Sequence, residues 1–218
     1  MLTELLGRTL VDLTHPFHPG IPCFPGDPDE RRRTVRPGVT QYELIGQWGT
    51  HVDAPAHFIE TGRTLDQIPV TDMIAPLVVV DFADVEIQPA DLRAWEAMYC
   101  RIPLGAFVAL RTGWSQRWPN PQLMGDSAAP GWSVAAIDWL VTQRDIVAIG
   151  HETLDTDPGF RVAQGELIAQ RRILAHDRWQ IERMAHLDQL PATGALVVAA
   201  WPKPLGGTGF PARIFAVI

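Results

Sequence analysis

Two runs in the sequence, "PLVVVDF" at 76–82 and "DIVAIGH" at 145–151, place apolar residues side by side without alternation. A strand with one wet face alternates, so a short unbroken apolar run reads as a strand buried on both faces, and its sheet needs material stacked on each side. Five further β-rich runs recur: "TLVDLTH" (9–15), "YELIGQW" (42–48), "FVALRTG" (107–113), "GALVVAAW" (194–201) and "RIFAVI" (213–218). Helical patterns lie between them: "PADLRAWEAMY" (89–99) with Pro89 near its start, "SVAAIDWLVTQR" (133–144) capped by Ser133, and a third over roughly 163–175. Strand and helix alternate, which predicts an α/β fold. With no internal repeat, low-complexity tract or long linker, residues 1–218 read as a single domain, large enough to bury a full core without disulfides.

Two stretches interrupt this regularity. "THPFHPGIPCFPGDPDE" is too rich in proline and glycine for a regular element and predicts an ordered, extended loop. "HVDAPAHFIETGRTLDQIPV" is broken by Pro55 and Gly62 and cannot be one long helix. Loops of this length inside a compact domain are commonly functional. The formal charge of −7 gives no nucleic-acid surface, and the basic run Arg31 to Arg33, bracketed by Asp27, Asp29 and Glu30, reads as a solvated turn or edge strand. No stretch reaches the length of a membrane span, and the start lacks the pattern of a signal peptide, so a cytoplasmic protein is expected. Cys23 and Cys100 lie far apart and read as free thiols. The expected partners are a small molecule and further copies of the chain, most simply as a homodimer.

"QWGTHVDAPAHF" (47–58) carries the chemistry. In an extended segment residues i and i+2 project to the same side, so His51 and Asp53 can address one point, and Gln47 shares their face if the strand continues. Imidazole and carboxylate are a standard pair for a borderline or hard divalent ion. Pro55 stiffens the exit and fixes where His57 points. Taken alone the string is equally compatible with histidines satisfied in a polar loop.

The surroundings add to it. "GTHVDAPAHF" resembles the H-x-G-T-H-x-D-x-P-x-H signature of the metal-dependent cyclase-like hydrolases, the family of bacterial kynurenine formamidase and isatin hydrolase. "LVDLTHPFHPGIPCFPGDP", "LRTGWSQRW", "PGWSVAAIDWLV", "IERMAHLDQLP" and "GFPARIFAVI" are similar to further ordered segments of that family, and "DIVAIGHETLDTDPG" matches its G-x-D-T-x-S-x-D segment loosely. The resemblance implies a layered β/β/α, swivelling-type domain with mixed sheets and one divalent metal ion, manganese or zinc with magnesium admissible. It puts metal-ligand positions at Gln47, His51, Asp53, Gln170 and Glu182, and the histidine near the attacking water at His57. Two positions that are histidine in the family's dinuclear members, 47 and 170, are glutamine here. A carboxamide oxygen is a harder and weaker ligand than imidazole, which predicts a rearranged mononuclear site on Gln47, His51 and Asp53; Gln47 is either an oxygen ligand or the mark of a lost metal.

Other residues join as candidates. His151 could restore a nitrogen ligand, and Glu152, with Asp155 and Asp157, could hold the ligands in place by hydrogen bonds. Trp48, Phe24, Phe58 and Trp114 are candidates to sandwich a planar substrate. The expected activity is hydrolysis of an amide, lactam or lactone: the metal activates water and the carbonyl, and His57 is the general base. Kynurenine formamidase proper, or a ligand-binding protein that has lost metal chemistry, are the alternatives.

Overall fold

The computed structural model describes residues 7–120, 122 and 126–218; the first six residues, part of the stretch read above for a leader, lie outside that range. Nine strands form one sheet: β1 (Leu10–Asp12), β4 (His51–Asp53), β5 (Ile74–Asp81), β7 (Phe107–Arg111), β9 (Ala148–His151), β10 (Trp179–Glu182), β11 (Ala195–Ala200), β12 (Gly209–Pro211) and β13 (Arg213–Val217). Their order is β1-β13-β11-β5-β7-β9-β10-β4-β12. Strands β5, β7, β9 and β10 run parallel, and antiparallel strands extend the sheet at both ends. Two small sheets complete the set: the hairpin of β2 (Arg31–Arg36) and β3 (Val39–Glu43), and the parallel pair β6 (Glu86–Ile87) and β8 (Gly131–Trp132).

The unbroken apolar runs do what their composition requires. Along β5, Leu77 and Val79 enter one core while Val78 and Val80 enter another, and in β7 Phe107 and Ala109 part company with Val108 and Leu110 in the same way. The first core lies inside the curl of the sheet, gathering Val11, Val52, Ile181, Val197 and Ile214 from both of its ends. The second lies under the helices α1 (Pro89–Met98), α2 (Val134–Arg144) and α4 (Ile168–Ala175), through Leu92, Ile137 and Ile173. This is the expected α/β fold of layered β/β/α form with a mixed sheet.

The helices begin where local chemistry allows. Ser133 Oγ accepts from Ala136 N at 3.0 Å and opens α2. Pro89 occupies the first turn of α1. The third helical pattern, expected over 163–175, is split: a single turn, α3 (Gly159–Val162), ends before Gly165 at φ +76, and α4 starts only at Ile168. "YELIGQW" is strand only to Glu43; residues 44–50 are irregular, with Gly49 at φ +63, so β4 begins afresh at His51 and Gln47 reaches the site from a loop. Residues 54–73 carry three short 3-10 turns and no long helix. The β2–β3 hairpin is exposed along both strands, which makes the arginine run a solvated edge. Among the described residues no helix is long and apolar enough to cross a membrane.

Candidate metal centre

Strand register builds the site. On antiparallel β4 and β10, His51 lies opposite Glu182 and Asp53 opposite Gln180. Val52 and Ile181, between them, point into the inner core, so the four polar residues share the outer face. Helix α4 covers that face and brings Gln170. Its first turn is tied down by Asp157, whose carboxylate oxygens accept from Ala169 N at 2.8 Å and Gln170 N at 2.9 Å.

His51 Nδ1 lies 2.9 Å from the Gly49 carbonyl oxygen, which can only accept, so Nδ1 holds the proton. That leaves Nε2 with its lone pair, buried and without a hydrogen-bond partner, 3.6 Å from Asp53 Oδ2 and 3.6 Å from Glu182 Oε2. One ligand atom from each of the three residues falls within 4.8 Å of the others. An orphaned imidazole nitrogen converging with two buried carboxylates is the donor set of a divalent cation, and the residues present fit one.

Three carboxamides hold the carboxylates. Gln170 Nε2 donates to Asp53 Oδ2 at 3.2 Å and Glu182 Oε1 at 3.3 Å; Gln180 Nε2 donates to the same two oxygens at 3.0 Å each. Gln47 Nε2 lies 3.3 Å from Asp53 Oδ1 and 3.3 Å from His57 Nδ1. The pair shares its ionisation unequally. Burial, then the neighbouring charges of Asp53 and Asp155, push the Glu182 carboxyl well up. Burial also acts to raise Asp53, but His51, His57 and the Gln180 hydrogen bond outweigh it and hold Asp53 low. A divalent cation held between them would favour the ionised form of both carboxylates.

His151 is fully buried behind the centre. Its Nδ1 lies 3.1 Å from Thr153 O and its Nε2 3.3 Å from Thr156 Oγ1, and burial lowers its pKa to about 3, so it stays neutral. Thr156 Oγ1 in turn lies 3.1 Å from Glu182 Oε1, which links His151 to the site at one remove. Glu152 turns elsewhere: its carboxylate accepts from Thr112 N at 2.7 Å, Gly113 N at 2.6 Å and Ser115 Oγ at 2.8 Å, and so caps the turn after β7 instead of supporting ligands.

A cavity of about 290 Å³ opens beside the cluster, with Gln47, His57, Gln170, Glu182 and Arg183 in its wall. Of the four aromatic candidates, Phe24 and Phe58 line it. Trp48 and Trp114 do not: Trp48 is packed with no exposed surface, and Trp114 stands behind the lining residue Leu154. Sequence reasoning missed Gln180 and Arg183. Gln180 shows only once "WQIE" is recognised as a strand paired with "HVD".

Residues 11–158 match the family model "Putative cyclase". The chain is 30% identical to an isatin hydrolase of Roseibium aggregatum, over 96% of this chain and 91% of that protein. It is 26% identical to a kynurenine formamidase of Paracidovorax citrulli, over 84% of this chain and 85% of that protein. Isatin hydrolase A from Labrenzia aggregata, solved bound to benzyl benzoate, superposes with a TM-score of 0.90 at 30% identity, covering 100% of this chain and 98% of that one.

Proposed function

The chain belongs to the cyclase family, and from that membership we propose that it is a metal-dependent hydrolase of an acyl C–N or C–O bond in a small molecule. The observation that carries this reading is the buried, unpartnered Nε2 of His51 facing Asp53 and Glu182. These three residues would hold one divalent ion, manganese or zinc, with magnesium admissible for a site so rich in oxygen. Bound there, the ion supplies Lewis acidity that polarises an acyl carbonyl and lowers the pKa of water.

The chain's own residues do the rest. His57, half-buried on the cavity wall, takes the proton of the attacking water and returns it to the departing nitrogen or oxygen. Gln47 holds its Nδ1, and Gln170 and Gln180 keep the two carboxylates from swinging apart. Phe24, Phe58 and Leu154 offer an apolar wall to a single ring. The named relatives make isatin and N-formylkynurenine the first substrates to assay.

The test is elemental analysis of protein purified without chelator, against a His51→Ala/Asp53→Ala double variant, followed by both assays with manganese or zinc supplied. About one equivalent of metal, lost in the double variant, together with hydrolysis of either compound, is the expected result. No metal retained, and none taken up from millimolar manganese or zinc, overturns it in favour of a ligand-binding protein. We also take the working form to be a cytoplasmic homodimer. The free thiols Cys23 and Cys100 suit a reducing compartment, and the exposed β2–β3 hairpin suits an arm between copies; light scattering in solution checks the dimer.

A further inference from the structure

Arg183 directly follows Glu182 and is held in an unusual state. Its backbone sits at φ +58, in the left-handed region that costs any residue with a Cβ and costs glycine nothing. The conformation is pinned from both sides: its amide donates to Thr153 O at 3.2 Å, and its carbonyl accepts from Thr50 Oγ1 at 2.6 Å. The side chain is only 3% exposed and lines the cavity with His57 and Phe58.

Its donors are largely unused. Nη1 donates to Gln47 O at 3.1 Å, while Nε is buried with no acceptor, and the guanidinium enters no ion pair among the described residues. Three carboxylates share the cavity: Glu182 accepts from Gln170, Gln180 and Thr156, Asp155 accepts from the amide of Asp157, and Asp27 lines the same wall, yet among the described residues none of them forms an ion pair with the guanidinium. A guanidinium cannot shed its charge, so a buried one is stable only with an anion opposite. The charge acts on the nearby Glu182 and Asp155 carboxyls without pairing directly with either. A strained backbone that glycine would relieve, kept with a buried arginine that makes one hydrogen bond and leaves Nε without an acceptor, points to use of the side chain by a ligand.

We propose that Arg183 anchors a carboxylate carried by the substrate, so that the enzyme prefers amides or lactones of small ring-bearing acids over their neutral counterparts. This rests on the hydrolase reading above. The guanidinium fork suits a carboxylate, and a cavity of about 290 Å³ with Phe24 and Phe58 in its wall accommodates one ring between that anchor and the metal cluster.

Benzoate and benzamide share a shape and differ in charge, which makes them the probes. Calorimetric titration of both into manganese-loaded wild type, Arg183→Gly and Arg183→Lys is expected to show benzoate binding at least tenfold weaker to Arg183→Gly and intermediate to Arg183→Lys, with benzamide within twofold throughout. Glycine is at ease at φ +58, so Arg183→Gly should fold with an equal or higher melting temperature and keep its metal by elemental analysis. Benzoate binding that is absent in wild type, unchanged in Arg183→Gly, or lost in parallel with benzamide overturns the anchor. Hydrolysis measured on the same proteins separates the two claims. Intact turnover without charge discrimination sinks the anchor alone, and intact discrimination without turnover of any amide or lactone sinks the hydrolase reading alone.

Discussion

At Gln47 one carboxamide faces two partners, Asp53 Oδ1 and His57 Nδ1. With nitrogen toward them it donates to both, and His57 then carries its own proton on Nε2, the wrong tautomer for a base acting through that atom. Rotation of the amide by half a turn exchanges nitrogen for oxygen: Oε1 now accepts from His57 Nδ1, frees the Nε2 lone pair, and becomes an oxygen that a cation next to Asp53 can use. In that orientation the one amide would reach both a metal held at Asp53 and the His57 ring. His57→Ala is expected to keep metal by elemental analysis and lose turnover by about 10²-fold; equal turnover removes His57 from the chemistry. Gly209 faces the same amide, and a Cβ there would come within 2.2 Å of Gln47 Nε2. Gly209→Ala should therefore reproduce the activity loss of Gln47→Ala, and the double variant should be no worse than either, since both remove the same contact; additive losses in kcat/KM would show that Gly209 acts otherwise. Gln47, His51, Asp53 and His57 were legible in the sequence because eleven consecutive residues hold all four. Gln180 and Arg183 were not, since the role of one depends on cross-strand register and that of the other on a backbone angle that no residue type announces.

Elements place these side chains through a few capping contacts. Asp157 is twelve residues from Ala169 yet serves as the cap of α4, and that contact fixes the turn that carries Gln170 to Asp53 and Glu182. Ser133 plays the same local part for α2, away from the centre. Asp157→Ala and Ser133→Ala should each lower stability by about 1 kcal/mol in urea titrations, while only Asp157→Ala weakens metal affinity, read by competition with a chelating dye. Equal metal affinity in the two variants would mean that Gln170 reaches the carboxylates without this anchor. Strands that are apolar on both faces, β5, β7 and β9, could be read from composition alone, as could α2 from its serine cap. The short strands β4, β10 and β12 could not. Each has only three or four residues and owes its pairing to neighbours far away in the chain, as Gly209 opposite Asp53 shows.

Across the whole molecule, the N-terminal loop is stitched to the site through His15. Its amide donates to Thr50 Oγ1 at 3.0 Å, and the same hydroxyl donates to Arg183 O. The ring stacks on Trp118 with centroids 4.7 Å apart, and its Nε2 is buried without a partner. Burial, then the neighbouring His186, lowers the His15 pKa from 6.5 to about 4. Between those values the unfolded chain binds a proton that the folded chain refuses, so stability rises with pH through this window: it is complete above about 6.5 and is lost as the pH falls toward about 4. At about 1.4 kcal/mol per pKa unit the loss is on the order of 3 kcal/mol, enough to matter to a domain of ordinary marginal stability. Phenylalanine keeps the stacked ring and cannot take a proton. His15→Phe is therefore expected to remove the His15 contribution to the dependence of urea-unfolding free energy on pH between 7 and 4.5, leaving the slope of the deeply buried His151 and the opposite slope of Asp155 and Glu182, whose carboxyls burial pushes up. A variant whose stability falls as steeply as wild type would place the acid sensitivity elsewhere and leave His15 a packing residue only.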